Sequence, residues 1–302
     1  MPDLLLSRRR ALLASLIALA PVRAYAAPRA IEGERFEGSR PDGALGGEGG
    51  EGLRLASGQT IRTSSFARFG NGAVRVNKPV DGIRIEDCTA DGLYRFLENT
   101  ASKAVGDASM IDFVIKGITA RNLVRGFSRV RYASRDGLFE DIIAMAAARS
   151  LDFACGFALS DTASNITYRR CEARGFRAAP RDEAGYWNSD GFSDERGNHA
   201  IAYIDCIAQG CSDSGFDTKS QDVTLSGCTA SDNKRNFRLW NTGTLSACRS
   251  ENPVRYGGTG GPAHLAFTGD APRYTLRDIV ISARPDNPAP VFYCETKRPA
   301  II

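Results

Sequence analysis

One short segment recurs eight times along this chain, and its spacing limits the fold more than any other feature. The segment opens on a β-branched, aromatic or leucine side chain and runs through two mostly polar residues to Cys or Ile. It closes on a small or apolar residue. The copies span residues 85–90, 115–120, 139–144, 168–173, 203–208, 225–230, 245–250 and 276–281. Their fourth positions are Cys88, Ile118, Ile142, Cys171, Cys206, Cys228, Cys248 and Ile279, separated by 20 to 35 residues. A floor near 20 with longer gaps where loops are inserted is what a solenoid coil produces. Alternation within each copy marks a strand with one buried face, and no stretch carries the long 3.6-period pattern that a helical repeat needs. The expected fold is therefore all-β: a single-stranded right-handed parallel β-helix of about eight coils, spanning residues 61–302.

A second segment follows in most coils, at residues 92–97, 126–131, 191–195, 215–219 and 236–240. Most copies open with Gly and an apolar residue, which reads as a tight corner followed by an inward side chain. With Phe192, Phe216 and Phe237 inward, the residues flanking each must point outward. Ser193, Asp217 and Arg238 then form one outward column, and Glu195, Lys219 and Trp240 the next. Asp190 and Ser214 stand just before the phenylalanines, with Asp213 and Arg235 nearby. The same alignment puts Tyr94, Phe96, Ser128 and Val130 in these columns elsewhere, so charge concentrates in three consecutive coils. The longest insertion, residues 174–188, brings Tyr186 and Trp187 beside the patch. Opposite charges on neighbouring strands also occur as plain surface pairs contributing ~0–1 kcal/mol each. The density of the patch and its aromatic neighbours favour a sugar-binding groove, with Arg235, Glu195, Trp240, Trp187 and Tyr186 as substrate contacts.

The rest of the sequence narrows the setting. Residues 1–26 read as an export signal: Arg8, Arg9 and Arg10 precede an apolar run, and Ala24-Tyr25-Ala26 is a small-x-small cleavage site. The basic start resembles a twin-arginine signal as much as an ordinary secretory one. The mature chain is expected in the bacterial periplasm or outside the cell, as a monomer with no membrane span. Removing the leader's four arginines and one aspartate takes the net charge from +4 to +1, so the basic balance implies no nucleic-acid partner. Residues 27–60, rich in glycine, read as a lead-in or N-terminal cap. The cysteine column is expected to hold free, buried thiols, since small apolar side chains suit a crowded inner column and the spacings match no zinc motif.

The run Asn188-Ser189-Asp190-Gly191-Phe192, then Asp213-Ser214-Gly215-Phe216-Asp217, then Asn236-Phe237-Arg238-Leu239 resembles the core of the parallel β-helix polysaccharide lyases, most closely the family 9 pectate lyases. The resemblance covers about residues 186–242. It implies β-elimination on an acidic, uronate-containing polysaccharide, assisted by Ca²⁺ bound through Asp190, Asp213 and Asp217. Ser214 stands where the family has a further aspartate. Three carboxylates leave a 6–8-oxygen shell incomplete, so the ion is expected to bind weakly or only together with substrate. The family's catalytic lysine falls at Arg238, which makes Arg238 the expected base and Lys219 a clamp on the substrate carboxylate. Lysine shifts more readily than arginine, but Glu195 beside Lys219 pushes it away from a base's role. Two other readings stay open. A glycoside hydrolase on the same fold would use paired carboxylates as acid and base, although the Gly-His-Gly and Arg-Ile-Lys segments of polygalacturonases are absent. A non-catalytic carbohydrate-binding β-helix is the other.

Overall fold

The structure is a computed structural model that describes residues 30–148, 150, 153–178 and 183–302. The export signal lies outside the described residues. Every regular element among the described residues is a strand, and all of their pairings are parallel or extend a parallel ladder. No helix among them is long and apolar enough to cross a membrane. Ten strands, from Leu53–Arg54 to Phe292–Thr296, stack into one sheet, and nineteen shorter or bent strands form the other. The chain is a parallel β-helix.

The repeat sets the register. Ile118 lies opposite Ile142, and the pairs Glu172–Ile207, Ile207–Thr229 and Thr229–Arg249 put Cys171, Cys206, Cys228 and Cys248 on successive rungs. These four thiols are free and buried. In ten successive coils the residue just before this column is left-handed: Gly33, Thr63, Asp87, Gly117, Asp141, Arg170, Asp205, Gly227, Ala247 and Asp278. Glycine and aspartate, which tolerate positive φ best among the types present, fill most of these places. This kink divides the ladder strand of a coil into two and turns the chain around the core.

The ladder runs two rungs further toward the N-terminus than the eight copies suggested. Ile31–Glu32 and Arg35–Glu37 stack on Thr60–Arg62 and Ser65–Ala67, which stack on Arg84–Glu86 and Thr89–Asp91. The segment at 27–60 thus already holds a rung. Its column position is Glu34, and that of the next rung is Ser64, so neither carries the Cys-or-Ile mark.

The core is a set of ring stacks along the axis. Phe157, Phe192, Phe216 and Phe237 lie face to face at centroid spacings of 4.8, 4.9 and 5.3 Å. Tyr168 and Tyr203 stack beside them at 5.3 Å. The glycines before Phe192 and Phe216 clear space rather than making a turn. Gly191 and Gly215 are not in the left-handed region, but a Cβ there would lie 3.0 and 3.2 Å from the Ala208 Cβ of the facing strand. In these central coils the repeat alanine Ala208 and the glycines Gly191 and Gly215 therefore meet across the core.

Candidate active site

The site is built on three adjacent strands of the ten-stranded sheet: Asp190–Asp194, Ser214–Thr218 and Arg235–Leu239. Phe192, Phe216 and Phe237 pair across them, which sets Ser193 beside Asp217 and Asp217 beside Arg238. The expected outward columns are present here. Further down the sheet the expected alignment is off by one residue. Ser128 pairs with Phe157 and Arg129 with Ala158, while Glu98 pairs with Arg129. The offset lies between Gly126–Val130 and Cys155–Leu159, where Ser128 rather than Phe127 stands opposite Phe157. Tyr94, Phe96, Ser128 and Val130 are therefore not the outward column; Glu98 and Arg129 are, and charge continues beyond the three coils.

Two carboxylates organise the patch. Asp213 is fully buried, with the Tyr186 hydroxyl 2.7 and 2.8 Å from its two oxygens and Lys234 Nζ at 3.2 Å. Arg238 Nη1 approaches it at 3.5 Å and donates to the Tyr186 oxygen at 3.1 Å. Asp217 accepts from the Trp240 indole N–H at 2.6 Å and pairs with Lys219 at 3.0 Å, while Arg238 Nε stands 4.0 Å away. Lys219 also reaches Glu195 at 2.7 Å. The Trp240 ring is surrounded by cations: Arg238 at 4.6 Å, Arg196 at 5.1 Å and Lys219 at 5.8 Å from its centroid. A cleft of about 710 Å³ opens here, lined by Arg196, Lys219, Trp240, Asp270, Glu295 and Lys297 among others.

The electrostatics give these groups distinct characters. Burial works to lower the pKa of Arg238, but Asp217, Tyr186, Asp213 and Asp190 outweigh it and the net shift is upward. Lys219 behaves alike: burial lowers its pKa, Asp217 and Glu195 more than restore it, and the ammonium is held charged. Both residues are fixed cations, the opposite of what a base needs. Lys234, enclosed and with Nζ 3.9 Å from the Tyr186 ring centroid, is the exception: burial pulls its pKa down against Asp213. Burial pushes the Asp190 carboxyl well up, and Asp213 and Asp217 add to the shift; Asp190 Oδ1 accepts the Ser214 N–H at 2.8 Å. The Tyr186 phenol is raised by burial and then by Asp213, with Arg238 and Arg235 opposing.

Two expected substrate contacts lie elsewhere. Trp187 is 6% exposed and packs against Gly257 and Gly258, where an added Cβ would come within 2.5 Å of its ring. It anchors the insertion and so aims Tyr186 at Asp213. Arg235 is also buried; its Nη2 donates to Glu295 at 2.9 Å, while Nε and Nη1 have no hydrogen-bond partner. Glu195, Lys219, Trp240 and Tyr186 do reach the surface of the patch.

Calcium does not fit the carboxylates as they are placed. Among the described residues no three His, Cys, Asp or Glu groups converge as a metal site. Asp213 and Asp217 face ammonium, guanidinium, phenol and indole donors, so their charge is already compensated.

Lys234 and Glu295 belong to the site without having been expected. Lys234 stands three residues before Phe237, as Asp213 stands three before Phe216, so the phenylalanine register does place them on adjacent rungs. Glu295 comes from the last strand, where its carboxylate reaches Arg235 and, at 3.9 Å, Arg238. That strand has no Gly-Phe pair to register it.

No protein-family model matches the sequence, and no curated protein does. Solved structures do resemble the fold. An alginate lyase from Paenibacillus sp. str. FPU-7 superposes with a TM-score of 0.57 at 12% identity, over 89% of this chain and 99% of that one. A double mutant of the periplasmic alginate epimerase AlgG gives 0.56 at 10% identity, over 88% and 68%. A polygalacturonase from Erwinia carotovora ssp. carotovora gives 0.51 at 9%, over 90% and 100%. What this chain shares with them is the parallel β-helix.

Proposed function

We propose that this protein is an exported polysaccharide lyase that cleaves a uronate-containing glycan by β-elimination. The observation that carries the reading is the Tyr186 phenol, held between Arg238 and the buried Asp213 beside a cationic, tryptophan-lined cleft. Elimination needs the substrate carboxylate neutralised so that the adjacent C–H becomes acidic, and it needs one group to move a proton. Lys219 and Arg238 are the neutralising cations. Tyr186 is the proton carrier: its oxygen takes the proton α to the carboxylate as its own passes to Asp213. The C–H electrons form the double bond, and the bond to the 4-linked sugar oxygen breaks. Return of the proton through Tyr186 to the departing oxygen completes the cycle. Lys234, 3.2 Å away, holds the Asp213 carboxylate in place. No step requires calcium.

Alginate and polygalacturonate, each incubated with the mature protein, test this. An ultraviolet-absorbing unsaturated product is expected, lost by about 10²-fold or more in Tyr186→Phe. Reducing ends without that absorbance would instead support a hydrolase, which the elevated pKa of Asp190 favours as a general acid. Tyr186→Phe retaining full lyase activity refutes the assignment.

A further inference from the structure

The outward column that holds Asp217 and Arg238 continues away from the site through Ser193 and Ala158 to Arg129. The neighbouring outward column follows the same course, from Trp240 and Lys219 through Glu195 and Ser160 to Arg131, as the backbone ladder between these rungs shows. Ala158, Ser160 and Ser193 are all small and partly exposed. They form a low, small-residue stretch with cations at both ends, its one carboxylate, Glu195, already paired with Lys219. Arg129 and Arg238 are four rungs apart, about 19 Å at the spacing of parallel strands.

Arg129 differs from its charged neighbours. Arg95 is paired with Glu98, Arg131 lies 3.6 Å from Asp161, and Arg75 lies 2.6 Å from Glu51. Glu98 is further occupied by the Thr100 hydroxyl at 2.6 Å. Glu51 also holds Arg54 at 2.9 Å, so the three carboxylates are shared among four other arginines, and the cation left without one is Arg129. Among the described residues no carboxylate lies within ion-pair distance of it. It is half-buried, and burial pulls its pKa down; Glu98 opposes this, while Arg131 and Arg95 reinforce it. A partly desolvated guanidinium crowded by two others is stabilised by an incoming anion, and a planar fork suits a carboxylate.

We infer that Arg129, flanked by Arg131, is a second carboxylate-binding subsite for an acidic glycan lying along the solenoid axis from the Lys219–Arg238 cleft. This rests on the proposed substrate class but not on the chemistry performed there. The protein would then measure chain length: only a polyuronate long enough to span four rungs engages both ends of the stretch.

Titration calorimetry of Tyr186→Phe against polygalacturonate and alginate, and against their short oligomers, tests the subsite separately from catalysis. The preference for long over short chains is expected to shrink about tenfold when Arg129→Gln is added. Arg62→Gln, which removes a charge from the other sheet, should leave that preference intact. Unfolding midpoints of the same variants verify that Arg129→Gln folds, and loss of an unpaired half-buried cation should not lower the midpoint. An unchanged long-over-short ratio in the Arg129 variant overturns the inference, as does an equal drop in Arg62→Gln. If the wild-type protein forms no unsaturated product but the ratio still shifts in the Arg129 variant, the subsite stands and the lyase reading falls.

Discussion

Replacing Lys234 by methionine removes one member of an ion pair in which both side chains are fully enclosed, at 3.2 Å. Asp213 would then sit in the interior with only the Tyr186 hydroxyl and a more distant Arg238 to hold its charge. Losing one partner of a buried pair costs about 3–5 kcal/mol. Because Asp213 keeps these two donors, the lower end, about 3 kcal/mol, is expected. Replacing the pair as a unit, Lys234→Met with Asp213→Leu, also removes the stranded charge. Apolar substitution of a buried pair is commonly neutral or stabilising, so the double variant should recover most of the loss. Urea unfolding followed by circular dichroism and by tryptophan fluorescence, with the Trp187 carbonyl 3.4 Å from Lys234 Nζ, reads the stabilities. The double variant should at the same time be inactive on polyuronate, because its proton relay is gone. A double variant as unstable as the single one would refute the reasoning, since the pair would then be a support of the fold rather than a cost the site imposes on it.

Three further outcomes follow from the geometry. Burial raises the Asp194 carboxyl from 3.8 to about 6, against donors from Ser220 and Tyr203. The folded state therefore holds its proton more tightly, and stability should fall as pH rises from about 4 to about 6, by about 3 kcal/mol. Asp194→Asn should lack this decline when the two proteins are unfolded side by side at pH 4 and pH 7. Phe216→Ala opens a gap between Phe192 and Phe237 in the ring stack; it should cost about 3–5 kcal/mol in denaturant unfolding, and a loss below 1 kcal/mol would contradict the packing described. Adding a chelator should leave the rate on polyuronate unchanged, because lysine and arginine already compensate the carboxylates; a rate restored only by added calcium would reverse that conclusion.

The solenoid and the register of its central coils were legible because a column position is read from residue type alone. Cys171, Cys206, Cys228 and Cys248 repeat one side chain at one inner place, and Phe192, Phe216 and Phe237 repeat another. Where the column residue changed to Glu34 or Ser64, the rung became invisible, although its strand still pairs. The offset at Ser128 was illegible for a different reason: Gly126-Phe127 reads like the other Gly-Phe pairs, yet the backbone pairs it one residue out of step with Gly156-Phe157. Asp190, Asp213, Asp217, Lys219 and Arg238 could be gathered from spacing, because they share rungs. Trp187 could not be recognised as an anchor, since the glycines it rests on come from a loop seventy residues later. Glu295 arrives from the end of the chain, and spacing within the central repeat says nothing about it.

The last strand has one consequence for how the site behaves in time. Among the described residues Phe292–Thr296 is paired along one side only, to Ala263–Gly269, and Phe292 and Val291 stand half exposed there. Terminal rungs of a stacked array fray before interior ones, with an opening free energy well below that of the whole. Each time this rung peels away, Glu295 leaves Arg235 and Arg238; Arg238 keeps Asp213 and Asp217, whereas the buried Arg235 loses its carboxylate. Compensation of the buried Arg235 is thus tied to the docking of this strand, so removing residues 291–302 would leave that guanidinium enclosed without its carboxylate partner.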